Sequence, residues 1–144
     1  MNITSNIHLA VEACFEELIH DVKIYGPNHC VDHHLLSLHH LLGKNFSNAL
    51  KIVDEGGVSN LEAKGSGRII YMVQGKTEQY YTVFPGHYCS CQAFFYEVCQ
   101  GNALYCKHQL AARMASIMKQ HKSACVSGEE LAVALMNNVV PRVS

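Results

Sequence analysis

The stretch Cys89-Ser90-Cys91-Gln92-Ala93-Phe94-Phe95-Tyr96-Glu97-Val98-Cys99-Gln100-Gly101-Asn102-Ala103-Leu104-Tyr105-Cys106-Lys107-His108-Gln109-Leu110-Ala111 decides how the chain is read. It holds a Cys-x-Cys pair, a gap of 14 residues and a Cys-x-His pair. In an extended segment residues i and i+2 point to one face, so Cys89 and Cys91 can grip a single ion. Cys106 and His108 lie where the chain is predicted to enter a helix. Three thiolates and an imidazole suit tetrahedral zinc, and the residues between the pairs form the loop that the metal closes. No ligand position is left open, so the spacing predicts one structural Zn2+ rather than a catalytic one. Such a site contributes on the order of 10 kcal/mol in small domains, comparable with the whole stability of a domain this size. A redox role fits less well, because the thioredoxin-type motif is Cys-x-x-Cys.

Working outward, the chain has 144 residues, the length of one domain. Hydrophobic residues make up 49 % and charged residues 16 %, which provides a core and argues against a largely disordered chain. No apolar run approaches the ~20 residues of a membrane-spanning helix, and Met1–Ala10 lacks a secretory pattern. The expected compartment is therefore the cytosol or nucleus. There disulfides are rare, and the 7 cysteines are odd in number, so their clustering points to metal.

Before the cluster, Ile7–Val22 reads as an amphipathic helix, with Val11, Phe15, Leu18 and Val22 on its apolar stripe. Gly26-Pro27 stops it. A second helix is predicted from Asp32, taken as its N-cap, to Leu42, with Gly43 as its stop. A third runs from about Asn45 to Asp54 and ends at Gly56-Gly57. The pattern then changes. Val58–Ala63, Arg68–Gln74 and Gln79–Phe84 read as strands of a small antiparallel sheet. Pro85-Gly86 is a turn, and Phe94–Cys99 a short helix. Lys107–Gln120 reads as helical, and Ser127-Gly128-Glu129-Glu130 matches a capping box that opens a last helix to about Asn138. The expected fold is α+β. Residues 1–57 form a helical N-terminal arm, a candidate for partner binding. Residues 58–144 hold the small antiparallel β-sheet, the zinc-closed finger with core motif 89–111, and C-terminal helices, packed with the arm as one unit.

Charge is unevenly spread. Residues 1–63 carry 3 basic and 8 acidic groups, whereas residues 64–122 carry 7 and 2. The 7 basic ones, Lys64, Arg68, Lys76, Lys107, Arg113, Lys119 and Lys122, are candidates for contacts with DNA phosphates. Tyr71, Tyr80, Tyr81 and Tyr88 could serve as stacking platforms. The competing reading is a set of solvated lysines around a tyrosine-lined core. Net charge over the whole chain is −1, so autonomous DNA binding is expected to be weak and salt-sensitive.

The Cys-x-Cys…Cys-x-His pattern, followed by Gln109-Leu110-Ala111, resembles the SWIM-type zinc finger family. An alanine three residues after the histidine resembles the extended form in SWIM subunits of the Shu complex. The resemblance implies that Cys89, Cys91, Cys106 and His108 hold one structural zinc, and that Ala111 is the small residue packed behind them. It implies no enzyme activity. It further implies a heterodimer with an ATPase partner resembling a RecA-type recombinase paralogue. That complex would act in the nucleus, engaging single-stranded DNA and promoting recombinase filament assembly or stability in homologous recombination repair. An autonomous SWIM-finger module that binds DNA or protein is the alternative.

Remaining residues carry less. Cys99, Cys14 and Cys125 are expected as core thiols, with Cys99 as a possible substitute ligand. His87 is expected in a turn. The His-rich segment from His29 to His40 reads as a polar helix face, with a second metal site on His33 and His40 as the competing reading. Gly75-Lys76-Thr77 echoes a phosphate-binding loop but lacks the first glycine, since Ile70 stands there. A zinc hydrolase needs an open coordination position and a general base, for which Glu97 is the sole carboxylate in the loop.

Overall fold

The computed structural model of the chain describes residues 3–29, 31–76 and 79–141. Its central strand explains the layering. Ile70, Tyr71, Met72 and Val73 are consecutive and all buried. Neighbouring strand residues face opposite sides, so such a run requires cover on both faces of its sheet.

That cover comes from helices. In chain order the elements are α1 (Ile3–Tyr25), α2 (Asp32–Leu42), α3 (Lys44–Asp54), β1 (Val58–Ala63), β2 (Ile69–Gln74), β3 (Tyr80–Phe84) and β4 (Tyr88–Cys89). A short π-helical segment (Phe94–Val98), α4 (Lys107–Met118), β5 (Lys122–Val126) and α5 (Gly128–Asn137) follow. On one face, Tyr71 and Val73 share a core with Val11, Phe15 and Leu18 of α1, Leu38 of α2, Phe46 of α3 and Leu110 of α4. On the other, Ile70 and Met72 pack with Leu61, Val126 and the α5 residues Leu131 and Ala134. The apolar stripe of the helical arm is thus buried on the sheet and on α4.

The sheet has five strands in the order β4-β3-β2-β1-β5. Its first four are antiparallel neighbours, but β5 lies parallel to β1, with Leu61 opposite Ala124. The expected antiparallel sheet is therefore corrected to a mixed one. The sequence of β5 hides the strand because only Val126 is fully buried. Its identity comes from the neighbour, with α4 as the crossover that parallel pairing demands.

Helix boundaries differ in detail. The residue before α2 is Val31, and Asp32 is the first residue inside the helix with no side-chain cap. A carboxylate in the first turn still complements the helix dipole. Gly26 and Gly43, at φ +86° and +69°, end α1 and α2 in the left-handed region that glycine adopts freely. Ser127 does cap α5, in a reciprocal capping box with Glu130. Among the described residues, no helix is long and apolar enough to cross a membrane.

Candidate metal centre

Each zinc-ligand candidate is held by local backbone structure. Cys89 is the last residue of β4 and pairs with Val83 of β3. Ser90 continues that pairing: its N–H donates to the Thr82 carbonyl at 3.1 Å, and its Oγ accepts from the Thr82 N–H at 3.0 Å. This double tie fixes the turn between the first two cysteines. The Cys91 Sγ accepts from the Phe94 N–H at 3.4 Å, so the start of the π-helical segment aims a donor at that sulfur.

Cys106 is the N-cap of α4. Its Sγ accepts from the Gln109 N–H at 3.4 Å, while its own N–H donates to Gln109 Oε1 at 3.0 Å. This is a capping box with cysteine in the place of serine or threonine. The helix N-terminus favours a thiolate there. His108 sits in the first turn of α4, with its ring 4.5 Å from the Tyr81 ring. Ser90, Gln109 and Tyr81 are supporting residues that the sequence reading missed. The Cys-x-x-Gln spacing was a visible signal for Gln109 once a thiol is admitted as a cap.

The ligand atoms of Cys89, Cys91, Cys106 and His108 all lie within 4.8 Å of one another, and all four residues are buried. His108 Nδ1 is buried with no hydrogen-bond partner. A buried polar atom without a partner is costly, and three crowded sulfurs cannot all ionise unless a cation neutralises them. Without an ion the thiols diverge. Hydrogen bonds from Cys106 and Cys89 hold the Cys91 thiol far below its ordinary value. The Cys89 thiol is driven far up by its contacts with Cys106 and Cys91 and by burial. The donor set and its burial fit one tetrahedral Zn2+ enclosed by four protein ligands. Ala111, one turn beyond His108, is fully buried and lets α4 lie close to the centre.

Other candidates are dispersed. Cys99 and Cys125 are exposed rather than core, and Cys14 is half-buried on α1. Cys99 follows the π-helical segment outside the ligand cluster, and Cys125 lies on the outward face of β5. Cys30 and Thr77 lie outside the described residues. His87 is exposed in the β3–β4 turn. His33, His39 and His40 are exposed, as a polar helix face requires; the competing His33–His40 site is not formed, and His33 lies instead beside Asp21 and the buried His34.

The basic candidates do not form one surface. Arg113 is committed to an ion pair with Glu12, so it is withdrawn from the DNA-contact set. Lys76 and Lys107 line one groove together with Lys51, above Tyr81 and His108. Lys64 and Arg68 bracket the β1–β2 turn at the opposite end of β2, while Lys119 and Lys122 flank the α4–β5 connection. The tyrosines are not free platforms either. Tyr71 is buried, Tyr80 packs on the α5 core, Tyr81 covers His108, and Tyr88 meets Phe94 and Phe95 edge-on.

A buried Cys-x-Cys and Cys-x-His centre, joining a strand end to a helix N-terminus, defines a SWIM-type zinc-finger protein. The human zinc finger SWIM domain-containing protein 7 (Homo sapiens) is 32 % identical over 132 residues, covering 89 % of this chain and 94 % of the human one. The mouse protein of the same name (Mus musculus) is 36 % identical over 134 residues, 90 % of this chain and 88 % of its own. A zebrafish relative (Danio rerio) is 33 % identical over 99 residues, 67 % of this chain and 70 % of its own. The chain belongs to the zinc finger SWIM domain-containing protein 7 family, and its Cys3His centre is a structural zinc site. No protein-family model and no solved structure matches it.

Proposed function

We propose that this chain is a non-catalytic, zinc-stabilised interaction subunit of a Shu-type recombination mediator. It pairs with a RecA-like recombinase paralogue and acts in the nucleus. The pair promotes assembly or stability of recombinase filaments on single-stranded DNA during homologous recombination repair. The observation that carries this reading is the burial of all four zinc ligands. An ion enclosed by four protein donors has no position for a substrate, so the metal serves a binding scaffold. Membership of the family supports the reading. So do the apolar residues left on the outer helices, Leu9 and Ile24 on α1 and Val133 and Met136 on α5, all more than half exposed.

The test is co-expression of the full chain with a recombinase-paralogue ATPase. The expected result is a stoichiometric complex, lost in Cys106→Ser, that lengthens the residence of a recombinase on single-stranded DNA. Absence of a complex, combined with tight DNA binding by the isolated chain, would replace this reading with an autonomous finger.

A further inference from the structure

Asp21 near the end of α1 and the adjacent His33 and His34 in the first turn of α2 converge, although adjacent helical residues diverge by default. His34 Nε2 donates to Asp21 Oδ2 at 2.6 Å, and His33 Nε2 lies 4.0 Å from the same oxygen. The two imidazole rings are 3.9 Å apart between centroids. The three ligand atoms all fall within 4.8 Å of one another.

We propose that Asp21, His33 and His34 form a second metal site, for a borderline divalent ion of the zinc type, that clamps α2 onto α1. Two imidazole nitrogens and a carboxylate oxygen suit Zn2+, Cu2+ or Ni2+, whereas Mg2+ and Ca2+ take oxygen donors. Metal–ligand bonds of about 2.0–2.2 Å place tetrahedral donors roughly 3.3–3.5 Å apart. The two measured separations, 2.6 and 4.0 Å, bracket that spacing. The ion takes the place of the hydrogen bond between His34 Nε2 and Asp21 Oδ2, and the single ring proton of a neutral His34 moves to Nδ1. His33 is drawn in by less than about 1 Å. Water fills the fourth position, because three protein ligands leave one open.

The surroundings favour a cation. Glu16, Glu17 and His20 line the same depression beside Asp21. The partners differ in exposure in a useful way. The His34 side chain is 7 % exposed and that of His33 is 69 % exposed. Substituting His33 therefore removes a ligand without disturbing packing. The site is independent of the Cys3His centre and of the function proposed above.

The experiment is a calorimetric titration of the full chain, already carrying its structural zinc, with Zn2+ in the micromolar range. The wild type is expected to take up one further equivalent. His33→Gln and Asp21→Asn should each weaken that uptake by ~10-fold or more, with the first zinc and the far-UV spectrum unchanged. His39→Gln with His40→Gln should leave it intact. Failure of the wild type to bind a second equivalent would overturn the proposal. So would equal uptake by His33→Gln, which would assign the binding to scattered surface histidines.

Discussion

Arg113 of α4 grips Glu12 of α1 through both guanidinium ends, at 2.6 and 2.9 Å, while its Cζ lies 3.9 Å above the Phe15 ring. The Tyr105 hydroxyl donates to the same carboxylate at 3.0 Å. Tyr105 immediately precedes the zinc ligand Cys106, so one acidic residue of the arm touches both the helix and the lead-in of the finger. The acidic N-terminal part and the basic C-terminal part therefore meet here in a planar, two-pronged ion pair that lysine could not reproduce.

Loss of this pair should loosen the arm. The side chains of Arg113 and Glu12 are 20 % and 30 % exposed, between a surface pair worth ~0–1 kcal/mol and a buried one whose breakage costs ~3–5 kcal/mol. Arg113→Ala is expected to cost about 1–3 kcal/mol in urea unfolding, the cation–π contact included. Arg113→Lys should recover less than half of that. Full recovery by lysine would show that charge alone matters.

The same pair has a pH signature. Burial pushes the Glu12 carboxyl up, but the hydrogen bonds and charge of Arg113, with the Tyr105 hydroxyl, outweigh it and hold the group below its ordinary value of 4.5. A carboxylate with a lowered folded pKa gives stability that is complete above its unfolded pKa and lost as pH falls through the folded one. In Arg113→Ala, burial is opposed chiefly by Tyr105, so the carboxyl moves up. The stability gap between wild type and Arg113→Ala should therefore be wider at pH 7 than at pH 4, below the ordinary value of 4.5. A gap that is constant, or wider at the lower pH, would contradict the assignment.

Metal removal should be decisive for the fold. Zinc bound by such a site supplies on the order of 10 kcal/mol, about the whole stability of a typical domain. Cys106→Ser removes a zinc ligand while its hydroxyl can still cap α4, so the loss reports on the metal. Zinc per chain should fall from one to near zero, and helix signal should drop with it. Cys125→Ser, at an exposed position on β5, should change neither. A zinc-free Cys106→Ser protein with an unchanged far-UV spectrum would mean that the metal is dispensable for folding.

Tyr81 should govern how firmly His108 is held. A Cβ added at Gly75 would lie 2.6 Å from Tyr81 Cε2, so Gly75→Ala must displace the ring that covers His108. Residues that orient a ligand commonly change metal affinity by about 10–100-fold. Tyr81→Ala is expected to speed zinc release to a chelator by ~10-fold, and Gly75→Ala to act in the same direction less strongly. Identical release rates in all three proteins would remove Tyr81 from the site.

The zinc centre was legible because its four ligands fall into two short pairs whose spacing is fixed by strand and helix geometry. Most elements were legible too, since the stripes of α1 and α3 and the glycine stops lie within single segments. What escaped depends on partners distant in sequence. β5 exposes most of its side chains and becomes a strand through pairing with β1, about 60 residues earlier. Arg113 reads as one more positive charge until Glu12, 101 residues away, is placed beside it. His34 reads as part of a polar helix face until Asp21 of the preceding helix turns it inward.

The lysines offer the sharpest test of the proposed DNA role, because the fold separates them into groups. Lys51, Lys76 and Lys107 share one groove, whereas Lys64 and Arg68 sit at the far end of β2. Lys51 belongs to the acidic N-terminal part of the sequence and gains its place from α3 lying against α4. Each phosphate contact on a single strand contributes roughly 0.7 to the slope of log affinity against log salt. If the groove of the assembled heterodimer tracks the strand, Lys76→Ala with Lys107→Ala should lower that slope by about 1.4. Affinity should fall at low salt and the difference should shrink as salt rises. Lys64→Ala with Arg68→Ala should leave the slope unchanged. The reverse pattern would move the DNA path to the β1–β2 turn. Unchanged slopes in both variants would place the phosphate contacts on the partner ATPase.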